Sequence, residues 1–459
     1  MRRFHVWLAV GGLAALSGVP VTLAAQGFSV NEHSTCAMGR AGTAVASPCA
    51  DGSAIFFNPA GVASSAKGHT TISAGGTAIA PSGGFTDDAT GTTSNLNNKV
   101  YPIPSFYITH GFSDRVSAGI GLFAPYGLTT DWPATTPGRY LGYKSVIRAI
   151  YIQPTVAVKL GSMVKLGAGF DLNLFHVQLR QRVDLSTQQL PAPAPPGATF
   201  ANLGIPTGTD FADVNLTGNA TGVGYNLGAI FEPSDKVSLG LRYLSRQKVK
   251  MNNGTAAISQ VSTGITLAAG NPFGVPAGTP LDAVVAGQFT GAGPLQDQSA
   301  RTAVRMPEQL VGGIMVKPID RLKLLFDVSW TNWKVFDTLS IITANLPQSN
   351  IPENFGSTTA WRYGAEYEIS PTTVIRAGYL FHNAAEPTGS VTPNLPEGNR
   401  SEFTVGLGAR LGSSLHGDLA YQYINQQDRR GRTVPFGQPD NGLYTFKAHL
   451  FGAMLTYTF

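Results

Sequence analysis

Charge is what this chain has least of: 13% of its 459 residues are Asp, Glu, Lys or Arg. Soluble globular domains carry about 25%, so roughly half the usual charge is missing. Beyond the first 25 residues, no stretch is apolar enough to form a membrane helix. Signatures of catalysis are missing as well. There is no GxSxG elbow, no HExxH, no Walker loop and no Cys/His cluster with metal spacing. The eight histidines are scattered without pairing. Gly119-Ile120-Gly121 and Gly406-Leu407-Gly408 sit in strand-like segments, not at helix starts, so they are not dinucleotide loops. The sequence therefore predicts no enzyme, no cofactor and no metal. Low charge without a spanning helix fits a closed barrel, in which half of each strand faces lipid. A large secreted all-β protein would share this composition, so the pattern along the chain has to decide.

The first residues point to export. Arg2 and Arg3 precede an apolar run from Val6 to Leu16, broken by Ser17, Gly18 and Pro20 before Ala24-Ala25. A basic start, a short apolar run and small residues at its end read as a secretory signal peptide over 1–25. A membrane anchor needs about 20 apolar residues. The formal charge of +5 less the two arginines leaves about +3, with no basic, aromatic-interleaved patch, so nucleic acid is not an expected partner. The two cysteines, Cys36 and Cys49, follow the leader into an oxidising compartment and are expected to form a disulfide. Two inert buried thiols are the alternative. Residues 26–67 are rich in small residues and lack a period of two. Ile55-Phe56-Phe57 running into Asn58-Pro59-Ala60 argues for a packed plug and against a disordered leader.

From residue 69 the chain becomes a series of apolar/polar alternations separated by turn signals. Candidate strands lie at 69–80, 100–112, 115–128, 146–161, 163–182, 219–233, 236–252, 300–317, 320–342, 357–370, 372–385, 399–412, 415–428 and 443–459, which makes 14. Short joints such as Phe112-Ser113-Asp114-Arg115 alternate with long ones at 183–218, 253–299, 343–356 and 429–442. Short periplasmic turns opposite long external loops are the barrel layout. In the last strand Phe451, Ala453, Leu455, Tyr457 and Phe459 share one face, and a terminal aromatic is the usual mark of an assembled outer-membrane barrel. The predicted fold is all-β: a transmembrane antiparallel barrel of about 14 strands over 68–459, with an N-terminal hatch (plug) in its lumen.

Several segments resemble the FadL-type transporters of long-chain fatty acids and hydrocarbons in the Gram-negative outer membrane. They are Gly27-Phe28, Asn31-Glu32, Gly39-Arg40-Ala41, Asn58-Pro59-Ala60, Tyr126-Gly127-Leu128-Thr129-Thr130, Thr331-Asn332-Trp333, Leu395-Pro396-Glu397 with Arg400, and the terminal strand. They run through nearly the whole mature chain in the family's order. The resemblance implies a 14-stranded barrel closed by a hatch. It also implies that cargo is caught by external loops, moves into the barrel and leaves sideways through a gap in the wall. That gap would lie at a kink in the third strand, around Pro125, Tyr126 and Gly127, beside Asn58, Pro59 and Ala60 of the hatch. The residues agree. Pro125 cannot donate a ladder hydrogen bond and Gly127 permits a bulge, and Asn58 could satisfy backbone groups left unpaired there. A strand that simply ends at an external loop is the alternative. A sideways exit also makes physical sense, because an apolar solute gains about 0.8 kcal/mol per CH₂ on leaving water.

The family's fatty-acid carriers hold the carboxylate with basic residues in the fifth and ninth strands. In the fifth, Leu166, Ala168, Phe170, Leu172 and Leu174 are apolar at even positions, whereas Phe175, Val177 and Leu179 are apolar at odd ones. The flip at Leu174–Phe175 predicts a bulge, with His176, Gln178, Arg180 and Arg182 then pointing inward or to the mouth. Arg180 or Arg182 would supply the first basic group, although solvation at the rim is an equal alternative. The second position falls near Ser340, a departure that leaves neutral hydrocarbons open as cargo. A capture surface is expected in the two longest loops, where Phe211 and Phe273 stand among exposed apolar residues; flexible decoration is the competing reading. The expected partners are hydrophobic small molecules, outer-membrane lipid and lipopolysaccharide, and the barrel-assembly machinery through the last strand, with the chain acting as a monomer. A non-selective porin or an adhesin is the rival function.

Overall fold

Alternation of side chains is what shapes this molecule. In the last strand, Phe451, Leu455, Tyr457 and Phe459 are 48–58% exposed while Leu450 and Met454 between them are buried. The same two-residue period leaves Phe170, Val223, Leu241, Leu324, Phe403 and Leu419 exposed on other strands. An apolar side that faces outward all round a sheet suits contact with hydrocarbon. The computed structural model describes residues 27–459 apart from 98, 191–194, 292 and 432–440. The predicted signal peptide over 1–25 lies outside the described residues.

Fourteen antiparallel strands form the wall. They are β1 (Thr70–Asp87), β2 (Tyr101–Gly111), β3 (Val116–Asp131), β4 (Lys144–Leu160), β5 (Val164–Asp184) and β6 (Asp210–Ser234). Next come β7 (Val237–Leu244 continued by Gln247–Gln260), β8 (Gln298–Met306 continued by Gln309–Ile319) and β9 (Leu322–Thr331 continued by Thr338–Thr343). The wall ends with β10 (Thr358–Ser370), β11 (Thr373–His382), β12 (Arg400–Arg410), β13 (Leu415–Gln426) and β14 (Gly442–Thr458). Each pairs with its sequence neighbour, and β14 closes on β1 from Thr71 opposite Thr458 to Asp87 opposite Gly442. Pairing the first strand with the last closes the sheet, the condition for it to span lipid. Short turns join the strands at one end and long connections at the other.

The first and seventh strands run on past 80 and 252 to Asp87 and Gln260, the ninth is broken after Thr331, and two further differences bear on the site. The sixth strand starts at Asp210, not near 219, because Phe211, Val214 and Leu216 extend its pairing to β5 and β7 beyond the lipid-facing part. The predicted bulge at Leu174–Phe175 is absent. β5 pairs with β6 without a shift from Val164 opposite Phe231 to Val183 opposite Ala212. Phe175 and Val177 are buried while Leu174 is exposed, so odd positions face inward along the whole strand. The apolar residues change sides because the upper lumen is itself apolar.

The segment ahead of β1 is mostly buried against inward faces of the wall. It contains two short helices, α1 (Thr35–Met38) and α2 (Ala54–Phe57), followed by a 3₁₀ turn at Pro59–Ser64. Asp327 on β9 accepts from the backbone N–H groups of Ala44 (2.9 Å) and Val45 (3.1 Å). Arg40 pairs with Glu366 of β10 at 3.3 Å, and Ala41 N–H donates to Thr404 of β12 at 3.0 Å. Across the barrel, Gln153 of β4 and Asn226 of β6 donate to the Ile55 carbonyl at 2.7 and 3.1 Å. Cys36 and Cys49 are joined by a disulfide. These bonds satisfy backbone groups that irregular chain would otherwise bury unpaired.

Candidate functional site

The wall is interrupted between β2 and β3. Their ladder runs only from Gly111 opposite Ser117 to Phe106 opposite Leu122. Above it β2 continues to pair with β1, up to Tyr101 opposite Ile79. β3 in turn continues along β4, with a register shift between Phe123 and Tyr126. The unpartnered part of β2 carries Pro102 and Pro104, residues confined to sheet edges because they lack an N–H. Those two prolines mark a sheet edge in the sequence itself, which apolar/polar alternation over 100–112 does not reveal.

The exposed edge of β3 is paired by the chain's own N-terminal segment. Val30 N–H donates to the Pro125 carbonyl and Gly127 N–H to the Phe28 carbonyl, both at 2.9 Å, and Ser29 bridges Tyr126. Asn58, expected to serve this edge, lies elsewhere. Its side-chain amide donates to the carbonyls of Val45 (2.7 Å) and Ala229 on β6 (3.0 Å), while its side-chain oxygen caps Ala60 N–H. Pro59 and Ala60 pack against Gly167 of β5. One carboxamide cannot match the strand-spaced donors and acceptors of a free edge, whereas an extended backbone can.

Phe28 anchors this pairing. Its ring lies 4.6 Å from that of Trp333, 5.5 Å from Phe336 and 6.3 Å from Tyr126. The Tyr126 hydroxyl donates to the Pro307 carbonyl at 2.9 Å, at the break in β8. Gly27 is held at φ 56°, and a Cβ there would stand 2.6 Å from the Trp333 ring, so only glycine fits this entry. Gly127 shares a face with exposed Arg148, and Leu128 shares the inward face with Ile147.

Immediately inside the break is a cavity of about 300 Å³. Phe28, Leu128, Ile147, Leu179, Leu216, Ile258, Phe336 and Ile341 are among its lining residues, and Ser145, Thr392 and Asn394 contribute polar groups. Its charged lining residues among those described are Arg180 and Glu353. Arg180 shares the carboxylate of Asp213 with Arg182. It stands opposite Asn215, and Arg182 opposite Asp213, on the face away from Leu179 and Leu216. Asp213 accepts from both guanidinium groups, at 3.1 Å from Arg180 and 3.3 Å from Arg182. Both also lie over the Tyr143 ring, at 5.2 and 5.8 Å. Burial, then its bond to Asp213, holds the Tyr143 phenol well above its usual range, so it stays a neutral donor. Neither arginine is therefore simply solvated at the rim, and Arg182 does not line the cavity.

Ser340, Phe211 and Phe273, the remaining expected binding residues, are not among the lining residues either. Ser340 lies between cavity-lining Leu339 and Ile341, and its hydroxyl turns to Asn350 at 2.7 Å. Phe211 and Phe273 are not exposed capture groups. With Leu185, Phe200, Leu281 and Val285 they form a small core between the long connections 185–209 and 261–297. Phe211 packs on Phe289 at 5.7 Å and Phe273 on Phe200 at 6.0 Å. Apolar loop residues long enough to meet bury one another before they face water.

The family model described as outer membrane protein transport protein (OMPP1/FadL/TodX) matches residues 16–459. A long-chain fatty acid transport protein of Escherichia coli is 24% identical over 451 residues, covering 94% of each chain. Among solved structures, a FadL homologue of Pseudomonas aeruginosa gives a TM-score of 0.76 at 20% identity, covering 94% of this chain and 99% of that one. The toluene transporter TodX of Pseudomonas putida gives 0.66 at 16% identity, with the same coverage.

Proposed function

Because this chain belongs to the OMPP1/FadL/TodX family of outer-membrane transport proteins, we propose that it carries neutral hydrophobic molecules across the outer membrane and releases them sideways through its wall. As a barrel transport protein it is not an enzyme. The observation that carries the reading is the contact between an apolar cavity and an interrupted ladder: Phe28 and Leu128 line the one and adjoin the other. Cargo enters from the end with long connections, rests in the cavity, and moves out between β2 and β3 when Phe28–Val30 leaves the β3 edge. Residues 26–67 act as a hatch that closes the straight path, so an apolar solute need not re-enter water.

Neutral cargo is favoured over a fatty-acid anion because the cavity lining is mainly apolar and its one cation among the described residues, Arg180, is already paired with Asp213. The P. putida relative is named a toluene transporter and the E. coli one a fatty-acid transporter, so both chemistries belong in the test. Purified protein in mild detergent is loaded with a fluorescent apolar probe and titrated with a monoaromatic hydrocarbon or a long-chain fatty acid. The account predicts displacement by the hydrocarbon and, for the fatty acid, stronger displacement once its carboxyl is protonated. Displacement by the ionised acid that is lost in an Arg180→Gln, Arg182→Gln variant would assign the site to anions.

A further inference from the structure

Cations gather on one sector of the outward face of the wall. On β7, Arg246, Lys248 and Lys250 are exposed while Gln247, Val249 and Met251 between and beside them are buried. On β8, Arg301 and Arg305 are exposed while Ala300, Val304 and Met306 are buried. All five therefore point out of the barrel. The two strands pair here, with Lys248 directly opposite Arg305 and Lys250 opposite Ala303. Below the cations, towards the short turns, the same outward face carries Leu241, Leu310 and Trp330, which are 38–52% exposed. The patch thus sits at the border of the apolar belt, on the side of the long connections, which is the external side in this barrel layout. Glu308 meets one of these charges, at 3.1 Å from Arg246. Among the described residues, Lys248, Lys250, Arg301 and Arg305 form no ion pair. Like charges directly opposite each other repel, and the strand rise sets Lys248 and Lys250 only about 7 Å apart. The adjoining sector has no counterpart. At the same end of β10–β13 the outward positions hold Trp361, Tyr363, Tyr379, Phe403, Tyr421 and Tyr423, with no lysine or arginine among them.

We infer that Lys248, Lys250, Arg301 and Arg305 form a seat for the phosphate groups of one lipopolysaccharide molecule of the outer leaflet, whose acyl chains lie along Leu241, Leu310 and Trp330. The inference rests on the outer-membrane placement of the family and not on which cargo is carried. Phosphate is the chemistry that fits. It supplies negative charge and several acceptor oxygens, which guanidinium groups meet in a fork and ammonium groups as point charges. Basic clusters that flank an apolar membrane face attract anionic lipid. A phosphate between Lys248 and Arg305 turns a repelling pair into a bridge and needs no divalent ion to do so. The connection 261–297 springs from β7 and returns into β8, so a lipid held here braces its base at the mouth of the barrel.

The test is lipid binding by the purified protein in a non-ionic detergent with EDTA present, counted by native mass spectrometry. The probes are a short-chain lipopolysaccharide, the same lipid stripped of its phosphates, and phosphatidylglycerol. The intact lipopolysaccharide should bind, and the stripped form should bind at least about tenfold more weakly, since each cation near a membrane surface contributes several-fold to anionic-lipid affinity. Phosphatidylglycerol, with its single phosphate, should also bind more weakly. Lys248→Gln, Lys250→Gln, Arg301→Gln and Arg305→Gln together should lower lipopolysaccharide affinity by a similar factor while heat-modifiable gel mobility persists. Lys236→Gln with Arg321→Gln, which removes two exposed cations at the opposite rim, should leave it unchanged. Equal binding of intact and stripped lipid by wild type overturns the inference without any variant. Phosphatidylglycerol binding as tightly as lipopolysaccharide, or wild-type affinity in the folded quadruple variant, overturns it too.

Discussion

Leu179 and Ser340 show how a single position is misread from sequence. Apolar residues on a barrel strand are assigned to lipid by default, because most lumens are polar. Phe175, Val177 and Leu179 break that rule, and a phase flip was inferred where the strand is regular. Periodicity reports that two faces differ; it does not say which apolar face meets lipid and which meets cargo. Ser340 was placed in the lumen by resemblance, but its neighbours Leu339 and Ile341 take that face. A direct contrast follows. Leu179→Ala should weaken binding of a neutral apolar probe about tenfold, since burying that side chain is worth about 1.5–3 kcal/mol. Ser340→Lys should change affinity by less than about twofold, as surface substitutions usually do. Fluorescence titration of both variants decides; a larger effect at Ser340 than at Leu179 would reverse the assignment of faces.

Among the elements, strands were the most legible, because each repeats its alternation many times between turn residues. All 14 wall strands were visible in the alternating pattern. Short hairpin pieces such as Thr93–Asn95 and Ser349–Pro352 were not, since three or four residues cannot display a period. The N-terminal segment was legible as packed chain, from Ile55, Phe56 and Phe57, but its pairing with β3 was not. That pairing is made by backbone groups of Phe28 and Val30, which leave no mark on residue type. Among the described residues, this segment adds only the isolated Ser29–Tyr126 and Lys67–Gly111 bridges to the wall's ladders. Deleting residues 26–60 should therefore leave a barrel that keeps heat-modifiable mobility but conducts ions in planar bilayers. A variant that fails to fold would show that the segment is a structural part of the wall.

At the scale of the whole molecule, one discontinuity organises the rest. A closed sheet has no edges for lipid to meet, yet between β2 and β3 the ladder stops at Phe106 opposite Leu122. Two prolines lie on one side of that opening, a register shift lies on the other, and the N-terminal segment covers it from within. Pro125 and Gly127 pointed to this place in the sequence because neither sustains a regular ladder. The apolar cavity behind it was not legible, because its walls come from strands and connections far apart in the chain. Pro125→Val combined with Gly127→Val tests the route. Valine restores the missing ladder donor, and at position 127 it adds bulk beside Val30, whose side chain already stands 3.4 Å from where a Cβ would be. The decisive measurement is uptake of a neutral hydrophobic compound by cells lacking other such transporters, alongside probe binding to the purified double variant. The account predicts uptake near background with binding within about twofold of wild type, since the cavity is retained. Wild-type uptake by a correctly folded double variant would contradict it and favour an axial path through a moving hatch.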